Sequence, residues 1–311
     1  MSTTSFTMTR RAALLAGGAM MAGGARAQGS SAPVVVSSKI DTEGALLGNL
    51  ILLALGQAGV PTTARLALGP TRIVRTALLA GEIDLYPEYT GNAAFFFNRA
   101  EDAVWRDAER GYALAAELDR TQNKLVWLPP APANNTWAIA VRKDLAEREK
   151  LATMSDFFAA AGRGVLRLAA SAEFVESAAA LPAFERVYGA TFPRDRIVVL
   201  PGGDTAVMIR AAAQQISGVN SAMVYGTDGA IAALGLVVMR DDKNAQPVYA
   251  PAPVVRAAVL ERYPAIRTAL APVFASLDLA TLQALNAKIA VEGQPAPAVA
   301  RAHLVAIGVL R

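Results

Sequence analysis

Short apolar runs alternate with longer segments of helical period along most of the chain. APVVVSS (32–38), ARLALG (64–69), EIDLYP (82–87) and NKLVWL (123–128) read as strands, because β-branched and aromatic residues in runs bounded by Gly, Pro and Asn suit a pleated, buried surface. Between them, apolar positions recur with a helical period over 41–59, 71–81 and 101–120,. The proline-rich segment PPAPANN (129–135) has the composition of a hinge, and TWAIAVR (136–142) leaves it as a strand,. A second series follows: strands VLRLAAS (165–171), RIVVLPG (196–202) and VNSAMVYG (219–226), with helices over about 173–188 and over 204–215. QPVYAPAPVV (246–255) reads as a return crossing, and the remainder to residue 311 as helical. The alternation predicts an α/β chain with largely parallel sheets. Two crossings divide it into two lobes, lobe I from 28–135 plus 245–311 and lobe II from 136–244, with a ligand cleft between them.

Residues 1–27 stand apart from this pattern. Arg10 and Arg11 precede the small apolar run AALLAGGAMMAGGA, and Ala25-Arg26-Ala27 precedes Gln28. A basic start, a short apolar run and an A-x-A site predict a secretory signal cleaved after Ala27 and a periplasmic product. The run is too short and glycine-rich to span a bilayer of roughly 30 Å as a helix. The paired arginines fit either the twin-arginine route or the general secretory one. The formal charge of +4 falls to about +1 once Arg10, Arg11 and Arg26 leave with the signal, so the basic balance says nothing of a polyanionic partner. With no Lys/Arg stripe either, nucleic acid is not an expected partner. The absence of cysteine removes thiol nucleophiles, thiolate metal sites and disulfides,. The lone histidine, His303, sits in a helical stretch where it reads as a surface or interface residue. No phosphate-binding or dinucleotide glycine motif is present, and neither a cofactor nor a metal is expected.

The chemistry-bearing residues gather at strand ends, where a two-lobed α/β fold places its cleft. GEIDLYPEYTGNAAFFFN (81–98) holds Asp84 and Glu88 among Tyr86, Tyr89 and Phe95 to Phe97, and raises two readings: general acid–base machinery, or a socket for a cation. An acid is out of place within a strand on propensity, so Asp84 and Glu88 are expected to satisfy local backbone groups. Lys39 follows the first strand, and Asp41 or Thr42 can cap the next helix,. Asn134, Asn135 and Trp137 leave the hinge toward the same crevice. Lobe II contributes SAEF (171–174), with Glu173 and Phe174, then PGGDT (201–205), and Tyr225 in VYGTDG (224–229). The glycines of PGGDT, with Gly203, Asp204 and Thr205 at a helix start, offer backbone N–H groups to a carboxylate. Aromatics from both lobes beside groups suited to an anion match a small zwitterion with a quaternary ammonium. That cation has no N–H to donate, and each aromatic face attracts it by about 0.5–2 kcal/mol when water is excluded.

These segments, with SKIDTEGALLGN (38–49), PAPANNTWAIAVR (130–142) and PVYAPAPVVR (247–256), resemble in order the osmoprotectant-binding proteins of ABC importers, in the OsmF (YehZ) type that binds glycine betaine. The resemblance covers essentially all of residues 28–311. It implies a type II periplasmic binding fold, a monomer that closes on a small ligand and docks on an inner-membrane ABC permease. It also implies ligand contacts at Tyr89 and Asn92 of E-Y-T-G-N, an aromatic wall at Trp137 with Asn135 beside it, a carboxylate-facing Lys39 and a cage tyrosine at Tyr225. One position departs from the pattern: where many relatives carry an arginine that clamps the carboxylate, this chain has Ser177. Loss of a bidentate partner weakens carboxylate binding, unless the helix start at Gly202 to Thr205 compensates. Choline and related quaternary ammonium compounds therefore stay open as ligands. Two other roles remain open on the same fold, a ligand-sensing partner of a membrane receptor and an exported dehydratase using Asp84, Glu88 or Glu173.

Overall fold

The computed structural model of the protein describes residues 32–200 and 205–311. The expected signal, its cleavage site, Gly203 and Asp204 lie outside the described residues. Ten strands are described: β1 (Val34–Lys39), β2 (Thr62–Gly69), β3 (Leu85–Tyr89), β4 (Leu125–Trp127), β5 (Trp137–Arg142), β6 (Leu168–Ala170), β7 (Ile197–Val199), β8 (Ser221–Tyr225), β9 (Leu236–Val238) and β10 (Pro251–Arg256). They form two five-stranded sheets, in the orders β2-β1-β3-β10-β4 and β7-β6-β8-β5-β9.

Both sheets are mixed, which corrects the largely parallel arrangement expected from the alternation. β1 runs parallel to β2 and β3, but β10 is antiparallel to β3 and β4. In the second sheet β6 is parallel to β7 and β8, whereas β5 is antiparallel to β8 and β9. The reversed strands β5 and β10 are the ones that enter directly from the two crossings, without a preceding crossover helix. The segment 246–255, expected to be the return crossing, thus ends in an interior strand of the first sheet, between β3 and β4.

Local chemistry explains the other departures. The helix expected over 101–120 is Ala108–Asn123, preceded by a 3-10 turn at Ala103–Arg106. Asp107 has extended backbone angles and accepts the amide of Arg110, so the helix is capped there,. The helix expected over 173–188 is two, Ala172–Glu176 and Leu181–Tyr188. Pro182 cannot donate a backbone hydrogen bond and favours the first turn of a new helix. Two helices within 143–164 escaped the pattern, Lys143–Glu149 and Met154–Gly162, the latter opened by a Thr153–Asp156 capping box,.

Apolar layers cover both faces of the first sheet. The helix Thr42–Gln57 buries Leu46, Leu47, Leu50, Ile51 and Leu55 on one face together with the C-terminal helices, while Val74, Leu78, Trp105 and Ala115 pack on the other. Each fully buried large side chain contributes about 1.5–3 kcal/mol. The second sheet has its own core around Ile139, Phe157, Phe184 and Met223. Between the sheets the two crossings are stitched side by side. Tyr249 N donates to Asn134 Oδ1 (2.8 Å) and Asn135 N to Tyr249 O (3.0 Å), while Thr136 Oγ1 donates to Pro247 O (2.8 Å).

Candidate functional site

Two glycines set the spacing of the crevice. A Cβ on Gly44 would lie 2.6 Å from the Lys39 carbonyl oxygen, so only glycine lets the first helix begin hard against the end of β1. Asp41 caps that helix by accepting from Gly44 N at 2.6 Å, and Glu43 falls in its first turn. A Cβ on Gly91 would lie 2.8 Å from the ring of Tyr249, so glycine there lets that ring lie over the turn after β3. Between the sheets these elements enclose a cavity of about 760 Å³, within the range of small-molecule sites.

Among the expected residues, Lys39, Tyr89, Asn92 and Asn135 line the cavity from the first sheet and the hinge, and Trp137, Glu173, Thr205 and Tyr225 from the second. Phe174 does not reach it. That ring is fully buried behind Trp137, with centroids 5.4 Å apart. Trp137 and Tyr225 face each other across the β5–β8 register, with ring centroids 4.6 Å apart at 36°. Ser177 also lines the cavity.

The acids of the 81–98 stretch are structural groups rather than a catalytic pair. Asp84 accepts the amide of Val35 at 3.0 Å and pairs with Arg256 at 3.1 Å. Glu88, wholly buried, accepts from Lys39 Nζ (2.6 Å), Tyr86 OH (2.6 Å), Tyr89 N (2.7 Å) and Asn92 Nδ2 (2.7 Å). The Lys39 ammonium therefore has a carboxylate partner of its own, and it also sits 4.3 Å from the centre of the Tyr89 ring. Burial, reinforced by the Glu88 charge, pushes the Tyr86 phenol well above its ordinary pKa.

Glu43, Gln246, Tyr249 and Asn286 are among the wall residues that were not anticipated. Glu43 is 6% exposed and accepts from Tyr89 OH (2.7 Å), Asn286 Nδ2 (2.8 Å) and Asn135 Nδ2 (3.3 Å). Burial pushes its carboxyl up from the ordinary value, and hydrogen bonds from Thr227, Tyr89 and Asn286 oppose this. Burial raises the Tyr249 phenol to about 12. Asn286 also donates to the Thr227 carbonyl oxygen at 3.0 Å, tying the helix Leu279–Ala290 to the turn after β8. A sequence signal for Asn286 existed: it shares the buried stripe of that helix with Leu282 and Leu285, and a polar residue on an apolar stripe needs a partner.

Chemically the wall combines aromatic faces with carboxylates, which attracts a cation. His303 lies elsewhere, with Nε2 2.8 Å from Ser276 Oγ. No group of three or more His, Cys, Asp and Glu side chains placed to hold a metal occurs among the described residues.

A family model described as the substrate binding domain of ABC-type glycine betaine transport systems matches residues 32–306. The chain is 58% identical over 277 residues to the glycine betaine-binding protein YehZ of Escherichia coli, covering 88% of this chain and 90% of that one. It is 32% identical over 266 residues to a glycine-betaine-binding protein of Pseudomonas aeruginosa, covering 83% of each. The solved structure of apo YehZ from Escherichia coli matches with a TM-score of 0.83 at 57% identity, over 90% of this chain and all of that one.

Proposed function

The chain belongs to the family of substrate-binding domains of ABC-type glycine betaine transport systems, and on that premise we propose that it captures a small quaternary ammonium osmolyte, glycine betaine or a relative such as choline, and delivers it to an inner-membrane ABC permease. Members of this family bind and hand over a ligand; they are not enzymes. The observation that carries the ligand class is the pairing of Trp137 with Tyr225 in a cavity also walled by Tyr89 and Tyr249. A trimethylammonium group has no N–H to donate to polar groups, but ring faces stabilise it by their quadrupoles. Trp137, Tyr225 and Tyr249 supply the faces, with Asn92, Asn135, Glu173 and Thr205 on the polar rim. Gly203 and Asp204, which precede Thr205 in the sequence, are assigned to the same ligand from the sequence alone, and Phe174 acts by holding Trp137 in place.

The ligand is held between lobe I (28–135 plus 245–311) and lobe II (136–244), which close about the two stitched crossings. A bound ligand bridges both walls and so favours the closed form. Small-angle scattering of the protein with saturating glycine betaine or choline is expected to show a smaller radius of gyration than the apo form. An unchanged radius with both ligands would refute this reading.

The protein acts as a monomer in the periplasm after cleavage following Ala27. The A-R-A site ahead of polar Gln28 supports the export and the cleavage,. Intact-mass measurement of the exported protein is expected to give a chain starting at Gln28; retention of residues 1–27 would refute cleavage.

A further inference from the structure

Four carboxylates are buried among the described residues: Glu43, Asp84, Glu88 and Asp119. Three have a cation. Asp84 pairs with Arg256, Glu88 with Lys39, and Asp119 with Arg75. Glu43 has none, and it is the one among these four that lines the cavity. Its hydrogen bonds come from the neutral donors of Tyr89, Asn286, Asn135 and Thr227. Burial without a counter-charge disfavours the ionised form, in keeping with the raised pKa of Glu43.

The rest of the wall has the same bias. Lys39 is the only basic residue among the described residues of the cavity lining, and Glu88 neutralises it. The undescribed stretch 201–204 is PGGD, which adds no basic side chain. Ser177, an uncharged side chain, also lines the cavity. Asn135, Asn286 and Gln246 line the cavity, and each has a buried amide oxygen that finds no donor among the described residues. The unmet demand of this wall is for positive charge and for hydrogen-bond donors. Glycine betaine brings a carboxylate and no donor at all. A quaternary ammonium alcohol brings the same trimethylammonium head, no negative charge and one O–H.

We infer that Glu43 is a specificity-determining residue that tunes this cleft to ligands of net positive charge, quaternary ammonium alcohols of the choline class, over betaines that carry a carboxylate. The inference rests on the proposed function, since it takes the cleft to be the quaternary ammonium site. Ring faces hold the head group whichever ligand enters; Glu43 supplies the counter-charge that distinguishes a cation from a zwitterion.

Calorimetric titration at neutral pH with choline, glycine betaine and 3,3-dimethylbutan-1-ol, the uncharged carbon analogue of choline, tests it on wild type and Glu43→Gln. Wild type is expected to bind choline about tenfold or more tightly than glycine betaine, the scale of one desolvated charge interaction, and to bind the uncharged alcohol more weakly still. In Glu43→Gln choline is expected to weaken by about tenfold while glycine betaine is unchanged or improved, so that the preference collapses. Binding of glycine betaine by wild type as tightly as choline, or the same ratio in both proteins, would overturn the role of Glu43 and leave the proposed function standing. Failure of wild type to bind either quaternary ammonium would overturn both. Should Glu43→Gln not fold, the wild-type ranking of the three ligands still decides, and Glu43→Asp, which keeps the charge, is expected to retain the preference.

Discussion

Replacing Glu88 by alanine is expected to lower the folding free energy by about 3–5 kcal/mol, the range for removing one partner of a buried ion pair. Glu88 is wholly buried and accepts from four donors on three segments, Lys39, Tyr86, Tyr89 and Asn92. Its loss strands the Lys39 ammonium, 5% exposed, without a counter-charge. Chemical denaturation read by tryptophan fluorescence measures the change. The double variant Lys39→Met with Glu88→Leu is expected to recover much of the loss, because exchanging a whole buried pair for apolar side chains of similar volume is often close to neutral. A loss below about 1 kcal/mol in the single variant is what an exposed pair would give, and would mean that water reaches this network.

The second large effect concerns binding rather than stability. Trp137→Leu keeps an apolar wall and removes the ring quadrupole, so affinity for a quaternary ammonium ligand is expected to fall by about 1–2 kcal/mol, roughly 5- to 30-fold. Trp137→Tyr retains a π face and is expected to be milder. Trp137 is only partly buried, at the cavity end of β5 opposite Tyr225, so the apo melting temperature is expected to move little. The converse outcome, a large drop in apo stability with affinity unchanged, would make Trp137 a core residue and remove it from the site.

How far the sequence speaks depends on where the chemistry sits. Lys39, Asn92, Trp137 and Tyr225 stand at strand ends, and a two-lobed α/β fold gathers strand ends at one crevice, so the pattern alone brings them together. Glu43 and Asn286 were hidden because both lie inside helices. One reads as an ordinary acid in a first turn and the other as part of an amphipathic run, although Asn286 shares its buried stripe with leucines. Tyr249 was hidden by the prolines around it, which read as a crossing without a role in the wall. Strand direction was equally illegible, since an apolar run such as 251–256 fits a parallel or an antiparallel neighbour alike. The break at Ser177–Ala180 was foreshadowed by Pro182, whose effect on the preceding residues the helical period masked,. The ion pairs Lys39–Glu88 and Arg75–Asp119 join residues far apart in sequence, which no local pattern reveals.

Calorimetric titration of the purified protein with glycine, sarcosine, dimethylglycine and glycine betaine tests the aromatic socket most directly. Across this series the carboxylate is constant and only the ammonium changes, from a group that water and polar side chains can hydrogen-bond to one that they cannot. If ring faces hold the cation, affinity rises with each methyl group and is highest for glycine betaine. Equal affinity for all four, or tighter binding of glycine than of glycine betaine, would contradict recognition of a quaternary ammonium in this cleft.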